Sequence, residues 1–420
     1  MRRILVVSYY HAPAPGIGGS RWAAMARHLR AQGDSVTIVA SDAWGRLPDD
    51  DAAGVVRTGD LRAWPPLRRL LRRGELPKAG GAGVELPPTA LLTKVLVPDA
   101  HVLTWLPAAA WTVRRLLTRG RFDCLVTSSP PETAHLVGLV LGGRLRPPWI
   151  ADFRDGWSFE PLRDRFPTSA QRALDAELER LVVRTAEVSV GATRPIAVDL
   201  ERRLGASAVH VTNAWDPELE AGVTRADGPV EAEDRAAVLV LTGTFSGVSG
   251  RMPEPLLRAL AGLEREPQGR RIRLHLAGRI TPEEHALIER AAPAGVVTHH
   301  GMLDHASALA LQRSADALVL LTSRNTSEAS GKLFEYLAAG RPILALAEGN
   351  EAARIVQETG TGIAVPPDDV DAITAALRTV VSGELARSYE PRGLEAYTYP
   401  APAKAMAALV EEAILRAKRR

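Results

Sequence analysis

The chain contains short, continuous runs of apolar residues, and segments with helical spacing of apolar positions lie between most of them. Runs without polar alternation are typical of strands that are buried on both faces of a parallel sheet. In the first half these runs are Ile4–Val7, Val36–Val39, Cys124–Thr127, Trp149–Asp152 and Val188–Ala192. In the second half they are Val238–Thr242, Ile272–Ala277, Val296–His299, Ala317–Leu321, Ile343–Ala347 and Gly362–Val365. The pattern predicts two successive parallel sheets covered by helices.

The predicted fold is α/β, with two Rossmann-like lobes that face a central cleft. A length of 420 residues suits two domains of about 200 residues each. Turn signals in the acidic stretch 213–234 mark the boundary, so we expect an N-terminal lobe over residues 1–215 and a C-terminal lobe over residues 216–400. The last segment, 401–420, is predicted to form a helix that crosses back and packs on the N-terminal lobe.

Residues 48–107 interrupt this rhythm, because prolines, glycines and arginines are dense there. An insertion of this length inside a compact domain is usually functional or mobile, and we interpret it as an irregular acceptor-side or membrane-facing excursion. Within it, Arg62–Arg73 combines arginines with Trp64 and leucines. This composition suits contact with an anionic membrane surface, although a solvated helix face has the same composition.

Charge, cysteine content and hydrophobicity narrow the classes of protein further. The formal net charge of +3 argues against nucleic acid as a partner, because that requires a dominant basic face. Cys124, the single cysteine, excludes an internal disulfide and is interpreted as a buried apolar residue rather than a nucleophile. Neither the run after Met1 nor the interrupted apolar stretch 90–113 has the length of a secretory signal or a membrane span. We therefore expect a cytoplasmic protein, with peripheral contact at the inner face of the membrane as an option.

Ligands of open parallel sheets bind beyond the carboxyl ends of the strands, so the residues that follow the strands are the first candidates. After the first strand, Gly16–Gly19 precedes a helix that is predicted to start at Ser20 or Arg21. Glycine allows backbone N–H groups to approach an anion, and a helix N-terminus favours negative charge. Gly18 and Gly19 are therefore candidate ligand-binding residues, although a tight structural turn explains the same glycines.

A stronger candidate is the segment Ser330–Pro342, in which a helix is predicted to begin at Gly331. Lys332 falls in the first turn, where a cation meets the unfavourable end of the helix dipole, so an anion is expected nearby. A diphosphate would satisfy the Lys332 ammonium, the Ser330 hydroxyl and the backbone N–H groups around Gly331. Glu335 lies one turn later on the same face, and its carboxylate can accept hydrogen bonds from two ribose hydroxyls. A Lys332–Glu335 surface pair is the competing interpretation.

This segment resembles the donor-binding helix of family 4 glycosyltransferases, which share the GT-B fold. The likeness extends over nearly the whole chain outside residues 48–107, through the segments Ser8–Gly19, Thr127–Pro131, Asp152–Trp157 and Leu241–Phe245. It implies an enzyme that transfers a sugar from a UDP-, GDP- or dTDP-sugar co-substrate, with retention of anomeric configuration. It also implies that no metal or other cofactor is required and that the C-terminal lobe holds most of the donor.

The resemblance implies roles for single residues as well. Glu335 would bind the donor ribose, Lys332 the phosphates, and the main chain near Met302 the base. A cationic residue would follow the first strand of the C-terminal lobe, and we assign this role to Arg251, although Thr244 is nearer to the strand end.

One position departs from the family pattern. The first acid of the family's two-glutamate motif corresponds to Ser327, with Glu328 beside it. The contact that this acid normally makes to the donor sugar is therefore in question.

The predicted catalytic device is a pair of cations rather than a metal. Lys332 and Arg251 would stabilise the charge that develops on the leaving diphosphate. The cluster His299, His300 and His305 lacks the spacing and the nearby carboxylates of a zinc site, so no metal site is predicted.

The acceptor side is less defined. Asp152, Arg154 and Asp155 end a strand of the N-terminal lobe, where either acid could orient or deprotonate an acceptor hydroxyl. A structural network of Arg154 with Asp155 is the alternative. His11 and His101 are further acceptor-side candidates, each with a packing role as the competing interpretation. The acceptor is expected to be a lipid-linked saccharide of the cell envelope or a small natural product.

Two other functions fit the same fold. A nucleotide-sugar epimerase would turn over the donor alone, without an acceptor. A catalytically silent sugar-nucleotide-binding protein is conceivable because Ser327 replaces an acid. Incubation with candidate donors separates the three functions, because they give a transferred or hydrolysed sugar, an isomerised donor, or binding without turnover.

Overall fold

The computed structural model describes residues 1–14, 16–60, 96–99, 102–160, 166–220, 236–246, 252–265 and 271–419. The chain divides into two compact units. The first unit comprises Met1–Asn213 together with Tyr399–Arg420, and the second comprises Ala214–Thr398. The chain therefore passes from one unit to the other at residues 213/214 and 398/399, beside the boundaries at 215/216 and 400/401 that the sequence suggests.

The first unit is built on a seven-stranded sheet with the order β3-β2-β1-β4-β5-β6-β7. All neighbouring strands pair in parallel, and Val6 in β1 lies between Ile38 and Val126 of the adjacent strands. The apolar run of β1 is fully buried, as expected for a strand covered on both faces. The strands are β1 Arg3–Ser8, β2 Ser35–Ser41, β3 Val55–Thr58, β4 Cys124–Ser129, β5 Trp149–Phe153, β6 Val188–Gly191 and β7 Ala208–His210.

The second unit contains a six-stranded parallel sheet with the order β10-β9-β8-β11-β12-β13. Its central strands carry the runs of leucine and valine that form the core of this unit on both faces of the sheet. The strands are β8 Ala237–Thr242, β9 Ile272–Ala277, β10 Val297–His299, β11 Ala317–Leu321, β12 Ile343–Leu346 and β13 Gly362–Val365.

Helices connect the strands in both units. Those of the first unit are Ile17–Ala31, Leu106–Arg119, Thr133–Val140, Ser169–Thr185, Arg194–Leu204 and the C-terminal helix Ala401–Lys418, with a 3-10 turn at Leu103–Trp105. Those of the second unit are Pro217–Glu220, Glu254–Glu264, Pro282–Ala291, His305–Arg313, Gly331–Ala339, Glu351–Glu358, Val370–Val381 and Glu384–Arg387, with a 3-10 turn at Leu394–Tyr397. Among the residues that the structure describes, none of the helices combines the length and the apolar character that crossing a membrane requires.

The predicted fold class is confirmed, because each unit is a doubly wound parallel sheet. Every predicted strand is present to within two residues of its expected ends. The helix predicted from Gly331 also forms, and Gly340 ends it in the left-handed conformation with φ +68°. Cys124 is buried in β4, and burial raises the pKa of its thiol.

The C-terminal helix Ala401–Lys418 belongs to the first unit by its contacts. Arg2 donates a hydrogen bond of 2.7 Å to the carbonyl of Ala407. Arg416, near the other end of this helix, donates to the carbonyl of Glu187 at 3.2 Å and to the hydroxyl of Ser207 at 2.7 Å. Arg2 thus reaches the helix from the residue before β1, and Arg416 reaches from the helix to residues beside β6 and β7, so the last helix is held at two places along its length.

Two short edge strands were missed by the sequence pattern. β3 and β7 have only four and three residues, which is too short for a clear period. β3 lies inside residues 48–107, so the interpretation of that stretch as irregular throughout was wrong for Val55–Thr58. Parallel pairing with β2 gives this segment its strand conformation.

The helix after β1 starts earlier than predicted. It begins at Ile17, so Gly18 and Gly19 lie in its first turn rather than in a loop before it. A Cβ atom on Gly19 would lie 1.9 Å from the carbonyl oxygen of Ala14. Glycine is therefore required there because the incoming loop folds tightly over the helix start.

Candidate functional site

The second unit has a topological switch point between β8 and β11. These central strands are neighbours, while the chain continues from them toward opposite edges of the sheet. Because all six strands are parallel, their carboxyl ends meet at one edge, and a crevice opens where the strand order reverses. The residues that follow β8 and the helix Gly331–Ala339, which follows β11, are therefore brought together there.

Tyr336 fixes the end of β8. Its hydroxyl accepts a hydrogen bond of 2.9 Å from the backbone N–H of Thr242, and the side-chain amide of Gln312 donates to the hydroxyl of Thr242 at 2.9 Å. Burial raises the pKa of Tyr336 to about 12, so the phenol stays neutral. Tyr336 was not among the residues predicted from the sequence, although its position four residues after Lys332 places it on the same helix face.

Two glycines allow the loops after β8 and β9 to touch. Gly243 has φ +120° and donates its N–H to the carbonyl of Ala277 at 2.8 Å. A Cβ on Gly278, which has φ +143°, would lie 1.9 Å from the carbonyl oxygen of Gly243. A Cβ on Gly243 would also lie 3.4 Å from Cε of Lys332. The side chain of Lys332 therefore passes directly over the bare backbone of Gly243.

Lys332 separates two neighbouring pockets. The first, here called the phosphate pocket, is lined by strand residues of β8 and β11 and by Thr242, Thr244, Ser330, Lys332 and Tyr336. The second, here called the Glu335 pocket, is lined by Leu303, His305, Ala308, Leu309, Gln312, Lys332 and Glu335. Thr244, Ser330, Lys332 and Glu335, which were predicted from the sequence, are thus brought together.

Lys332 and Glu335 form an ion pair, with 2.5 Å between Nζ and Oε2. This is the contact that the competing interpretation expected. Both side chains remain partly exposed, at 35% and 38%. An exposed pair of this kind is worth only about 0–1 kcal/mol, so an incoming diphosphate can replace the carboxylate as partner of the ammonium. The pair and the ligand site are therefore compatible.

The start of the helix Gly331–Ala339 offers free donors to the phosphate pocket. Ser330 precedes the helix in an extended conformation, and its hydroxyl makes no capping hydrogen bond. The first turn carries no acidic residue. The backbone N–H groups of a helix start and the adjacent ammonium together form a suitable site for an anion.

Glu328 serves the loop after β11. Its Oε2 atom accepts a hydrogen bond of 2.6 Å from the N–H of Ser323 and another from the hydroxyl of the same residue. The acid next to Ser327 is therefore engaged in holding its own loop.

Several predicted residues of the second unit lie near the site or outside the described part. Met302 is 60% exposed and follows Gly301, whose carbonyl accepts from Gly278 at 2.8 Å. This contact places the loop after β10 beside the loops after β8 and β9. Arg251, together with His101 and Arg62–Arg73 of the first unit, lies outside the described residues.

Two of the three histidines considered as a zinc cluster, His299 and His300, make contacts other than to carboxylates. Nδ1 of His275 lies 2.8 Å from Nε2 of His300, and Nε2 of His299 lies 2.8 Å from the carbonyl oxygen of Gly278. Within the described ranges, no three metal-ligating side chains come together.

Asp152 in the first unit is fully buried in an ion pair with Arg21. Its two oxygens lie 2.9 Å and 3.2 Å from guanidinium nitrogens, and Ser128 and Trp22 donate further bonds at 2.8 Å and 3.0 Å. Burial alone would raise the pKa of Asp152, but the charge of Arg21 and these hydrogen bonds hold it below its ordinary value. A carboxylate so enclosed is suited to structure and has no free face for an acceptor hydroxyl.

Arg21 also binds the segment where the chain leaves the first unit. Its guanidinium donates to the carbonyls of Val211 and Thr212 and to the side chain of Asn213, at 2.8–3.1 Å. The hydroxyl of Tyr399, where the chain returns, donates to the carbonyl of Arg21 at 3.2 Å. One buried arginine therefore holds both crossings of the chain.

Arg154 supports the loop after β4 and the helix start after β1. It donates to the carbonyls of Ser129, at 2.9 Å, and of Pro130. A Cβ on Gly18 would lie 2.8 Å from its Nη1 atom. Burial lowers the pKa of this guanidinium. Asp155, in contrast, is exposed, so it is the acid of this group that can meet a ligand.

His11 lies buried in the loop after β1. Burial and then the charge of Arg57 lower its pKa to about 4, so the imidazole is neutral near pH 7. His135 is a core residue, as expected, with Nδ1 2.6 Å from the hydroxyl of Thr127.

Two family models match the chain. Residues 18–214 match "Glycosyl transferase 4-like domain", and residues 236–382 match "Glycosyl transferases group 1". The chain belongs to the GT-B glycosyltransferases of the group 1, family 4 type. It is accordingly a transferase that uses a nucleotide-sugar donor.

Solved structures show the same fold. The lipopolysaccharide outer core galactosyltransferase WaaB, in its apo form, is similar with a TM-score of 0.57 at 14% identity, over 98% of this chain and 99% of that chain. AviGT4, a glycosyltransferase involved in avilamycin A biosynthesis, has a TM-score of 0.53 at 16% identity, over 99% of this chain and 98% of that chain. A putative UDP-N-acetylglucosamine 2-epimerase from Listeria monocytogenes has a TM-score of 0.56 at 11% identity, over 97% of this chain and 95% of that chain. Comparison with curated protein sequences finds no match.

Arg21→Met is expected to destabilise the first unit by about 3–5 kcal/mol, because it leaves Asp152 buried without its counter-charge. Equilibrium unfolding in denaturant measures this change. Arg180→Met is the matched control, since Arg180 forms an exposed pair with Glu177, and about 0–1 kcal/mol is expected. Because pairing lowers the pKa of Asp152, the pair stabilises the unit above about pH 4 and loses this effect as pH falls. Equal destabilisation by both variants would contradict the structural role.

Proposed function

We propose that this glycosyltransferase binds its nucleotide-sugar donor mainly in the second unit and transfers the sugar to an acceptor hydroxyl. The observation that carries the proposal is the position of Lys332, between the phosphate pocket and the Glu335 pocket. A nucleoside diphosphate has its charge at one end and its ribose and base at the other. The two pockets beside one ammonium match this division.

The donor contacts follow from the two pockets. The phosphates are bound by Lys332, Thr244, the Ser330 hydroxyl and the N–H groups at the start of the helix, those of Gly331 and Lys332. Glu335 accepts hydrogen bonds from the ribose once the diphosphate has replaced its carboxylate as the partner of the Lys332 ammonium.

Further contacts come from outside the pockets. The main chain near Met302 holds the base, and Arg251 supplies a second cation. Gly18 remains a candidate donor-binding residue, whereas the N–H of Gly19 already donates to the carbonyl of Gly16 at 3.0 Å.

The reaction separates a diphosphate from the anomeric carbon of the sugar. Lys332 and Arg251 stabilise the negative charge that builds on the leaving diphosphate, which is the main electrostatic requirement of this step. We infer a reaction with retention and without a metal. Asp155 is our choice for the acid that orients or deprotonates the acceptor hydroxyl, because Asp152 is enclosed by Arg21, Ser128 and Trp22.

The acceptor is inferred to be an envelope lipid-linked saccharide or a small natural product. By their descriptions, WaaB acts on the lipopolysaccharide outer core and AviGT4 in avilamycin A biosynthesis. Their identity to this chain is low, so the likeness shows a shared fold and does not identify the acceptor. The protein is expected to work in the cytoplasm, with Arg62–Arg73 touching the inner face of the membrane.

Lys332→Ala and Glu335→Ala are each expected to weaken donor binding or turnover by about 10- to 1,000-fold, because each removes a charge-assisted contact. Calorimetric titration with UDP, GDP and dTDP and steady-state kinetics measure the loss. Lys404→Ala and Glu289→Ala remove the same side chains from exposed helix positions and should leave both quantities unchanged. Wild-type behaviour of the two site variants would refute the donor site.

Transfer is expected to continue in EDTA and to give a product with the anomeric configuration of the donor. NMR of the product measures the configuration, and donor-only incubations monitor isomerisation. An isomerised donor in the absence of acceptor would favour the epimerase, and loss of activity that Mg²⁺ restores would contradict metal independence.

Wild-type protein is expected to float with anionic vesicles and to lose this binding as salt is added. Replacing Arg68, Arg69, Arg72 and Arg73 by glutamine should abolish flotation. The same change at four exposed arginines of the first unit, Arg172, Arg180, Arg184 and Arg202, is the control for net charge. Equal loss in both variants would argue against a specific membrane segment.

A further inference from the structure

Gln312 has a buried side-chain amide, of which the nitrogen is hydrogen-bonded and the oxygen is not. The residue is 2% exposed, and its Nε2 donates to the hydroxyl of Thr242 at 2.9 Å. Its Oε1 has no hydrogen-bond partner in the described part of the chain. Buried amide oxygens are nearly always paired, because removing one from water without a partner costs about 1–3 kcal/mol.

The side chain of Gln312 lines the Glu335 pocket. It projects from the helix His305–Arg313, whereas Lys332 and Glu335 project from the helix Gly331–Ala339. The remaining wall is mostly aliphatic, from Leu303, Ala308 and Leu309. Beside these aliphatic side chains, His305 and the Lys332 ammonium, the pocket contains two acceptor groups, a carboxylate and an amide carbonyl, on two different helices.

The bond from Nε2 to Thr242 determines which end of the amide remains available. Thr242 is held in turn by Tyr336, so the amide is anchored to the end of β8. With Nε2 engaged in this network, Oε1 is the atom left for a ligand. The group that completes it must be a hydrogen-bond donor.

We propose that Gln312 binds a ribose hydroxyl of the nucleotide beside Glu335 and so makes the enzyme selective for ribonucleotides that carry both hydroxyls. This inference rests on the proposed donor site. A ribose diol offers two O–H donors, which match a carboxylate and an amide oxygen. The hydrogen-bonding edge of a pyrimidine or purine base mixes donors with carbonyl acceptors, which would oppose the two acceptors of the pocket.

Gln312→Met tests this selectivity, because methionine keeps the length of the side chain and removes the acceptor. The titrated ligands are UDP or GDP, whichever the wild type binds, and its 2′-deoxy and 3′-deoxy analogues. Wild-type protein is expected to prefer the ribonucleotide over one analogue by about 5- to 50-fold. In Gln312→Met this preference should fall to about 2-fold or less, while the loss of the Thr242 contact weakens all three ligands alike.

Two further variants define the outcome. Lys332→Gln should weaken all three nucleotides equally and keep their ratios, because it removes a phosphate contact. Gln312→Glu, which retains an acceptor, should keep the ribose preference and shows whether a folding defect explains Gln312→Met. An unchanged ratio in Gln312→Met would overturn the role of Gln312 alone. Failure of the wild type to bind any of the nucleoside diphosphates would overturn the donor site itself.

Discussion

Parallel pairing of the strands decides where polar chemistry can lie in each unit. Since every strand of a sheet runs the same way, the loops that follow β8, β9 and β10 meet at one edge. The helix Gly331–Ala339 begins there, and the glycines at 243 and 278 let the loops approach to backbone contact. Lys332 can then reach across Gly243 to the phosphate pocket. Without this shared edge the residues of the site would be dispersed over about 100 positions of sequence.

Two ion pairs illustrate how burial separates structural from functional charge. Arg21 and Asp152 are completely enclosed, and breaking such a pair costs about 3–5 kcal/mol, so it behaves as a fixed part of the first unit. Lys332 and Glu335 are more than a third exposed, and their contact contributes about 0–1 kcal/mol. Separating the second pair therefore costs little, as the proposed donor site requires. A pair of one basic and one acidic residue is thus a fixed structural contact in the first unit and an easily separated contact in the second.

The buried network around Thr242 connects the backbone of the fold with the ligand site. Tyr336 and Gln312 come from two helices and hold the same residue at the end of β8. Their remaining surfaces line different pockets, Tyr336 the phosphate pocket and Gln312 the Glu335 pocket. These hydrogen bonds fix one side chain in the wall of each pocket, and a side chain that is already fixed costs less to order on binding.

Local patterns in the sequence determined the strands, because a strand buried on both faces has a continuous apolar run. They also determined the helix from Gly331 and the candidates Ser330, Lys332 and Glu335, because a helix start has a signature within a few residues. The tertiary structure decided which groups are free. Asp152 meets Arg21 across 131 residues and Thr242 meets Tyr336 across 94, and no local period encodes such partners. The short strand β3, the early helix start at Ile17 and the unsatisfied oxygen of Gln312 likewise depend on neighbours that only the folded chain supplies.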